Sequence, residues 1–223
     1  MEIKAAALSG ETQAPGVVRE RMFEMIAQKI ERNPDQNSYP AYFTEYLRIH
    51  FQNHPTQDVL VVQDGTTIDG DLELDWSASW AKANRASALV CFGDLTINGT
   101  IRNRSLNGGP LLFVGGNLRA RNVVKSGAPF EVLGDLIAED GLVVGEYNDG
   151  VTRVGGGVRC AYFINLDHDF YVRGSISGRT LYSDDEDLRS VLVPTVFVDE
   201  DEYAPDAELL LAHHRSNQKL LQD

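Results

Sequence analysis

The sequence is short of bases, cysteine and histidine, and each shortage removes a class of function. Lysine and arginine number 20 against 33 aspartates and glutamates, a net charge of −13 over 223 residues. A balance of that sign repels phosphate backbones, so direct nucleic-acid binding is not expected. The two cysteines, Cys91 and Cys160, stand apart inside apolar stretches, which offers no CxxC redox or metal pair and reads as two buried thiols. Of the five histidines only His168 falls in the repetitive middle of the chain, with His50 and His54 before it and His213 and His214 after it. His213 and His214 would project about 100° apart on a helix, so no histidine metal site and no cofactor is expected. No apolar run approaches the roughly 18–20 residues of a membrane span, and residues 1–14 lack the basic-then-apolar order of a signal peptide. The expected location is the cytoplasm, without membrane contact.

The acidity is concentrated. Residues 1–57 carry 7 acids and 6 bases, residues 58–180 carry 15 and 11, and residues 181–223 carry 11 and 3. A field of that kind draws in a cationic protein, although solvated surface charge is the plainer reading.

What the chain does contain is a repeat. A unit of the form apolar-x-Gly-(Asp/Asn/Gly/Ser)-(Leu/Val/Ile) recurs as Ile68-Asp69-Gly70-Asp71-Leu72, Cys91-Phe92-Gly93-Asp94-Leu95, Val114-Gly115-Gly116-Asn117-Leu118 and Val132-Leu133-Gly134-Asp135-Leu136. It returns as Val154-Gly155-Gly156-Gly157-Val158 and Val172-Arg173-Gly174-Ser175-Ile176. Aligned on the glycine, the column two residues earlier holds Cys91, Val114, Val132, Val154 and Val172, and the column four earlier holds Leu89, Leu112, Phe130, Thr152 and Phe170. Between them lie Val90, Phe113, Glu131, Arg153 and Tyr171, a mixed set expected to face water. This is the period of a strand with two distinct faces, repeated once per coil. A second strand follows each glycine, and Ala120, Ala138 and Cys160 share a column that suits a narrow interior. Each unit therefore reads as one coil of a solenoid that buries its apolar face only by stacking on its neighbours.

The expected fold is mainly β: a single-stranded parallel β-helix over residues 58–183, an N-terminal helical cap over 1–57 and an acidic C-terminal strand and helix cap over 184–223. Helices are expected over 15–31 and 40–51, with aromatic faces covering the open end of the solenoid. The insertion 76–84 would add to that cap, and a strand over 190–198 and a helix over 208–221 would close the other terminus.

The Gly-Asp-Leu units, such as Val132-Leu133-Gly134-Asp135-Leu136, resemble those of the bactofilins, the polymer-forming cytoskeletal proteins, over about residues 89–180. The resemblance implies a right-handed parallel β-helix, a scaffold role by self-association and no cofactor. The chain departs from that pattern in its aromatic-rich helical ends and unequal coils.

Two groups of residues are candidates for binding. The corners before successive buried strands place Glu146, Tyr147, Asp149, Asp167, His168 and Asp169 on one ridge, where neighbouring carboxylates raise one another's pKa; tight turns alone would also select such residues. The runs Asp184-Asp185-Glu186-Asp187 and Asp199-Glu200-Asp201-Glu202 flank an apolar stretch and form a negative patch. From these we expect a non-enzymatic protein-binding β-helix, an acidic inhibitor or immunity-type antidote to a basic toxin or nuclease. A self-assembling bactofilin-like scaffold is the second expectation, and a polysaccharide-acting enzyme using the corner carboxylates the third.

Overall fold

The structure, a computed structural model, describes residues 10–31, 41–146, 148–183, 187–199 and 204–222. In chain order its elements are β1 (Glu11–Gln13), α1 (Pro15–Glu31), α2 (Ala41–Asn53), β2 (Asp58–Val62), β3 (Thr66–Ile68), β4 (Leu72–Glu73) and α3 (Ser79–Asn84). Next come β5 (Ala86–Cys91), β6 (Leu95–Arg102), β7 (Leu111–Val114), β8 (Leu118–Lys125), β9 (Phe130–Val132) and β10 (Leu136–Gly145). The series ends with β11 (Asn148–Val154), β12 (Val158–Asn165), β13 (His168–Val172), β14 (Ile176–Tyr182), α4 (Leu188–Val191) and α5 (Ala207–Arg215).

Strands alternate between two sheets, as a solenoid requires. The first has the order β1-β2-β5-β7-β9-β11-β13, and the second β14-β12-β10-β8-β6-β3, with β4 also on β6. Every solenoid pairing is parallel, and the predicted columns stack: Leu89, Leu112, Phe130, Thr152 and Phe170 are successive partners in one sheet. Leu95, Leu118, Leu136, Val158 and Ile176 are partners in the other. Both columns face one interior with Ala120, Ala138 and Cys160. The chain is a mainly β parallel solenoid with helices toward its termini.

The repeated Gly-Asp has a specific cause. Asp64 Oδ1 accepts from the Asp94 N–H at 2.7 Å, Asp94 Oδ1 from Asn117 N–H at 2.6 Å, Asn117 Oδ1 from Asp135 N–H at 2.9 Å, and Asp135 Oδ1 from Gly157 N–H at 2.9 Å. Each side chain thus bonds the backbone of the next coil at the corner, where strand pairing lapses. The glycine makes room for it. A Cβ on Gly116 would stand 2.2 Å from Asp94 Oδ1, and one on Gly134 would stand 2.5 Å from the Gly116 carbonyl. Close approach between coils, rather than a left-handed backbone, therefore selects glycine at those two positions.

The column expected to be wet is buried. Glu131 is 0% and Arg153 2% exposed, and Arg153 donates from Nε and Nη2 to the two Glu131 carboxylate oxygens at 2.7 and 2.6 Å. The reason is that α1 and α2 lie along the outside of the first sheet instead of over the solenoid's end. Val18, Met22 and Ile26 of α1 and Leu47 and Phe51 of α2 form one cluster with Val90, Phe113 and Leu133. The helix α1 crosses several coils: the Arg21 guanidinium sits 3.8 Å from the Phe92 ring centre, and Arg173 donates to the Lys29 carbonyl at 3.5 Å.

The C-terminal segment does the same for the second sheet. Leu188, Leu192, Val196, Leu210, Leu211 and Leu220 pack on the outward Val124, Leu142, Val144, Ile164 and Leu181. The strand expected over 190–198 is instead α4 followed by a 3-10 turn, Pro194–Val196, and only Leu192 bridges to Leu221. A short apolar run does not fix its own backbone; here it bends to follow the sheet beneath it. The final helix is shorter than expected, and it returns toward the first coil. Arg104 reaches Glu208 at 3.0 Å, and Arg215 reaches Asp71 at 3.1 Å and Thr100 Oγ1 at 2.6 Å.

The two ends of the solenoid differ. At the first coil β1 pairs antiparallel with β2, and Trp80 and Ala81 of α3 join the interior cluster, with the Trp80 Nε1–H bonded to the Glu73 carbonyl at 2.7 Å. At the last coil Phe170, Val172, Ile176 and Tyr182 pack on the interior but stay half-exposed. Among the described residues nothing pairs with the outer edges of β13 and β14.

Candidate functional site

The corner expected to carry the ridge lies where β8, β10 and β12 end and β11 and β13 begin. Lys125, Gly145 and Asn165 are register partners there. Lys125 is fully buried, and its ammonium donates to the Ser126 carbonyl. Desolvation holds it well below an ordinary lysine pKa, while the charges of Asp75 and Glu146 work against that shift.

His168 turns into the same corner and is 4% exposed. Its Nδ1 lies 3.1 Å from the Glu146 carbonyl, which can only accept, so Nδ1 carries the proton. Nε2, 2.8 Å from Thr152 Oγ1, then accepts from that hydroxyl. Asn165 completes the lock, accepting from the His168 N–H at 3.0 Å and donating to its carbonyl at 3.1 Å. Burial, helped by the Lys125 charge, pushes the imidazole down to about 3, so it is neutral. With both nitrogens engaged it holds the corner together.

Glu146 is the unusual acid. Burial first, then the Asp206 and Glu208 charges, push it up to about 7, against the pull of Lys125. Asp167 and Asp169 flank His168 and are exposed, Asp167 with a left-handed φ of 61°. The ridge therefore brings Glu146 and His168 together through the Glu146 backbone and leaves the two aspartates outside. Tyr147 and the Asp149 side chain lie outside the described residues, as do Asp184, Asp185, Glu186, Glu200, Asp201 and Glu202. Of the acidic runs, Asp187 caps α4 by accepting from the Arg189 N–H at 3.1 Å, and the Asp199 carbonyl accepts from the Arg189 guanidinium. Both residues are exposed. Among the described residues no three His, Cys, Asp or Glu side chains converge as metal ligands would.

Cavities among the described residues lie elsewhere. One of about 650 Å³ opens between β1, α1 and β2 around Arg21, Asp64 and Phe92. A second, of about 560 Å³, runs over the second sheet beside the end of α5 and is lined by Arg119, Arg121, Asp140 and Arg215. A third, of about 350 Å³, lies between α2 and the turn before β7. Sequence reasoning missed all three, since each is assembled from distant stretches; half-exposed Trp76, in the third, was the available signal.

No family model, curated protein or solved structure matches the chain. No helix among the described residues is long and apolar enough to cross a membrane.

Proposed function

We propose that the protein is a non-catalytic binding β-helix of the cytoplasm whose last coil receives a basic protein, in the manner of an inhibitor or immunity protein that neutralises a basic toxin or nuclease. The observation that supports this most is the asymmetry of the ends. At the first coil β1 covers the edge of β2, and Trp80 and Ala81 of α3 pack on the interior, although β3 keeps a free outer edge; at the last coil, among the described residues, both β13 and β14 have unpaired edges and half-exposed apolar side chains. An exposed edge is a template for an added strand, and alternate side chains on it supply specificity. Asp167 and Asp169 stand at the start of β13, with Arg173 and Arg179 on the same coil, and the acidity of this end of the chain comes from residues 181–223, which hold 11 acids against 3 bases. A second copy would bring the same charges and be repelled, while a cationic partner would be steered in.

The second reading is a self-associating scaffold like the bactofilins that the repeats resemble. The same open edges favour it, and with β1 lying antiparallel over β2 at the first coil they support a two-fold pair better than a filament. The enzyme reading draws only on the raised Glu146.

The test is affinity capture from native lysate with the wild type, Asp167→Asn/Asp169→Asn and Ile176→Arg, alongside sedimentation of the purified protein. The reading expects a high-pI partner that is released by about 0.5 M salt, where screening is nearly complete, and lost in both variants. Recovery of self-copies alone, or a complex indifferent to salt, would overturn it.

A further inference from the structure

We infer that the pocket between α2 and the turn before β7 is a binding site for a neutral sugar ring. Its walls come from four stretches of chain: Tyr46, His50, Asn53 and His54 of α2 and the turn after it, Trp76 before α3, Asn107 with Gly108 and Gly109, and Pro129 before β9. Unlike the other two cavities described above, it has no Asp, Glu, Lys or Arg among the described residues of its lining. In a chain with 24% charged residues that absence is selective. The two imidazoles add no charge either. Burial holds His50 down to about 4 and also lowers His54.

Trp76 is the platform. Its indole lies parallel to the His50 ring, 8° apart at 6.1 Å, and the His54 ring leans on it at 4.5 Å. His50 is itself fixed, with Nε2 2.9 Å from the Ser87 carbonyl of β5. The indole is therefore positioned before any ligand arrives, which removes an ordering cost from binding. An aromatic face suits the C–H face of a pyranose. The exposed amides of Asn53 and Asn107 stand at the rim, and each offers donors and an acceptor, as sugar hydroxyls do. A charged sugar or a charged peptide side chain would find no counter-ion. At about 350 Å³ the pocket is near the lower bound of the roughly 300–1,000 Å³ of small-molecule sites, room for one ring rather than an extended chain. The inference is independent of docking at the last coil, which lies at the opposite end of the sheets from Trp76.

Intrinsic fluorescence tests it, because the chain has two tryptophans and Trp80 is only 6% exposed. In a Trp80→Phe background the signal reports Trp76 alone. Titration with methyl glycosides of glucose, galactose, mannose and N-acetylglucosamine, to about 50 mM to cover millimolar affinities, should give a saturable shift with at least one. Asn107→Ala, at an exposed position that spares the fold, should weaken that binding at least ten-fold, with circular dichroism unchanged. The inference is overturned if no glycoside saturates, or if Asn107→Ala binds as well as its parent. It is also overturned if N-acetyltryptophanamide or an N-acetylproline amide saturates the signal where sugars do not, since the pocket would then anchor a peptide side chain.

Discussion

Replacing Arg153 with methionine isolates the buried Glu131–Arg153 ion pair on the outer face of the first sheet. The guanidinium is 2% exposed and holds both oxygens of a carboxylate that is 0% exposed, under a roof made by α1 and α2. Burial raises the Glu131 carboxyl well above its ordinary value and lowers the Arg153 guanidinium, so each depends on the other for its charge. Methionine keeps most of the length and removes the fork. Breaking a buried pair in this way costs about 3–5 kcal/mol, against about 1 kcal/mol or less for an exposed pair. In a domain of this size each kcal/mol moves the melting temperature by roughly 2–4 °C, so a fall of roughly 10 °C is expected. The double variant Glu131→Leu/Arg153→Met should return to within about 1 kcal/mol of wild type, because no charge is then left buried. The pH dependence has a definite sign. In the single variant the folded Glu131 pKa lies above its unfolded value, so stability is retained at low pH and lost as pH rises; the deficit should shrink on acidification toward pH 4.5. Urea unfolding followed by circular dichroism at pH 7 and pH 5 measures all three proteins. A single-variant cost below about 1 kcal/mol, or a double variant no better than the single, would refute the reasoning.

Other outcomes follow from the corner and the ladder. His50 and His168 are neutral when folded, held to about 4 and about 3 from 6.5, so the unfolded chain protonates first as pH falls below 6.5 and stability drops with it; His50→Gln/His168→Gln should flatten that slope in urea midpoints. Glu146 has the opposite sign: raised to about 7 from 4.5, it costs stability as pH climbs through that interval, so Glu146→Gln should stabilise the fold at pH 8 and leave it unchanged at pH 4, by thermal melts. Asp135→Ala removes the 2.9 Å bond to the Gly157 N–H and should cost about 1–3 kcal/mol, with faster amide exchange at Gly157.

The solenoid was legible in the sequence because its glycine and its two largely apolar columns recur at every coil and an Asp or Asn follows the glycine in most of the early ones, and each recurrence has its own cause in the corner geometry. The outer column was misread. Alternation says that Glu131 and Val132 face opposite sides, but not that the second side is wet, and Val90, Phe113 and Tyr171 in that same column were the sign of a covering layer. Residues 190–198 were misread because an apolar stretch without periodicity fits a strand or an irregular strap equally well. Glu146 and His168 were placed on one corner from the sequence, yet their roles were not. Nothing local foretells that Thr152 and the Glu146 carbonyl occupy both imidazole nitrogens. The Trp76 pocket was illegible for a different reason: its residues are neighbours only once α2 lies against the first sheet.

Arg215, on the helix that ends the described fold, grips Asp71 and Thr100, more than a hundred positions earlier in the chain. A stack of coils can usually assemble progressively from one side, each rung stabilised by the previous one. Here the earliest rungs acquire contacts only when a helix more than a hundred residues further along the chain has emerged from the ribosome and doubled back. The solenoid should therefore consolidate late and unravel as a unit, and losing the Arg215 helix would loosen the rungs made first.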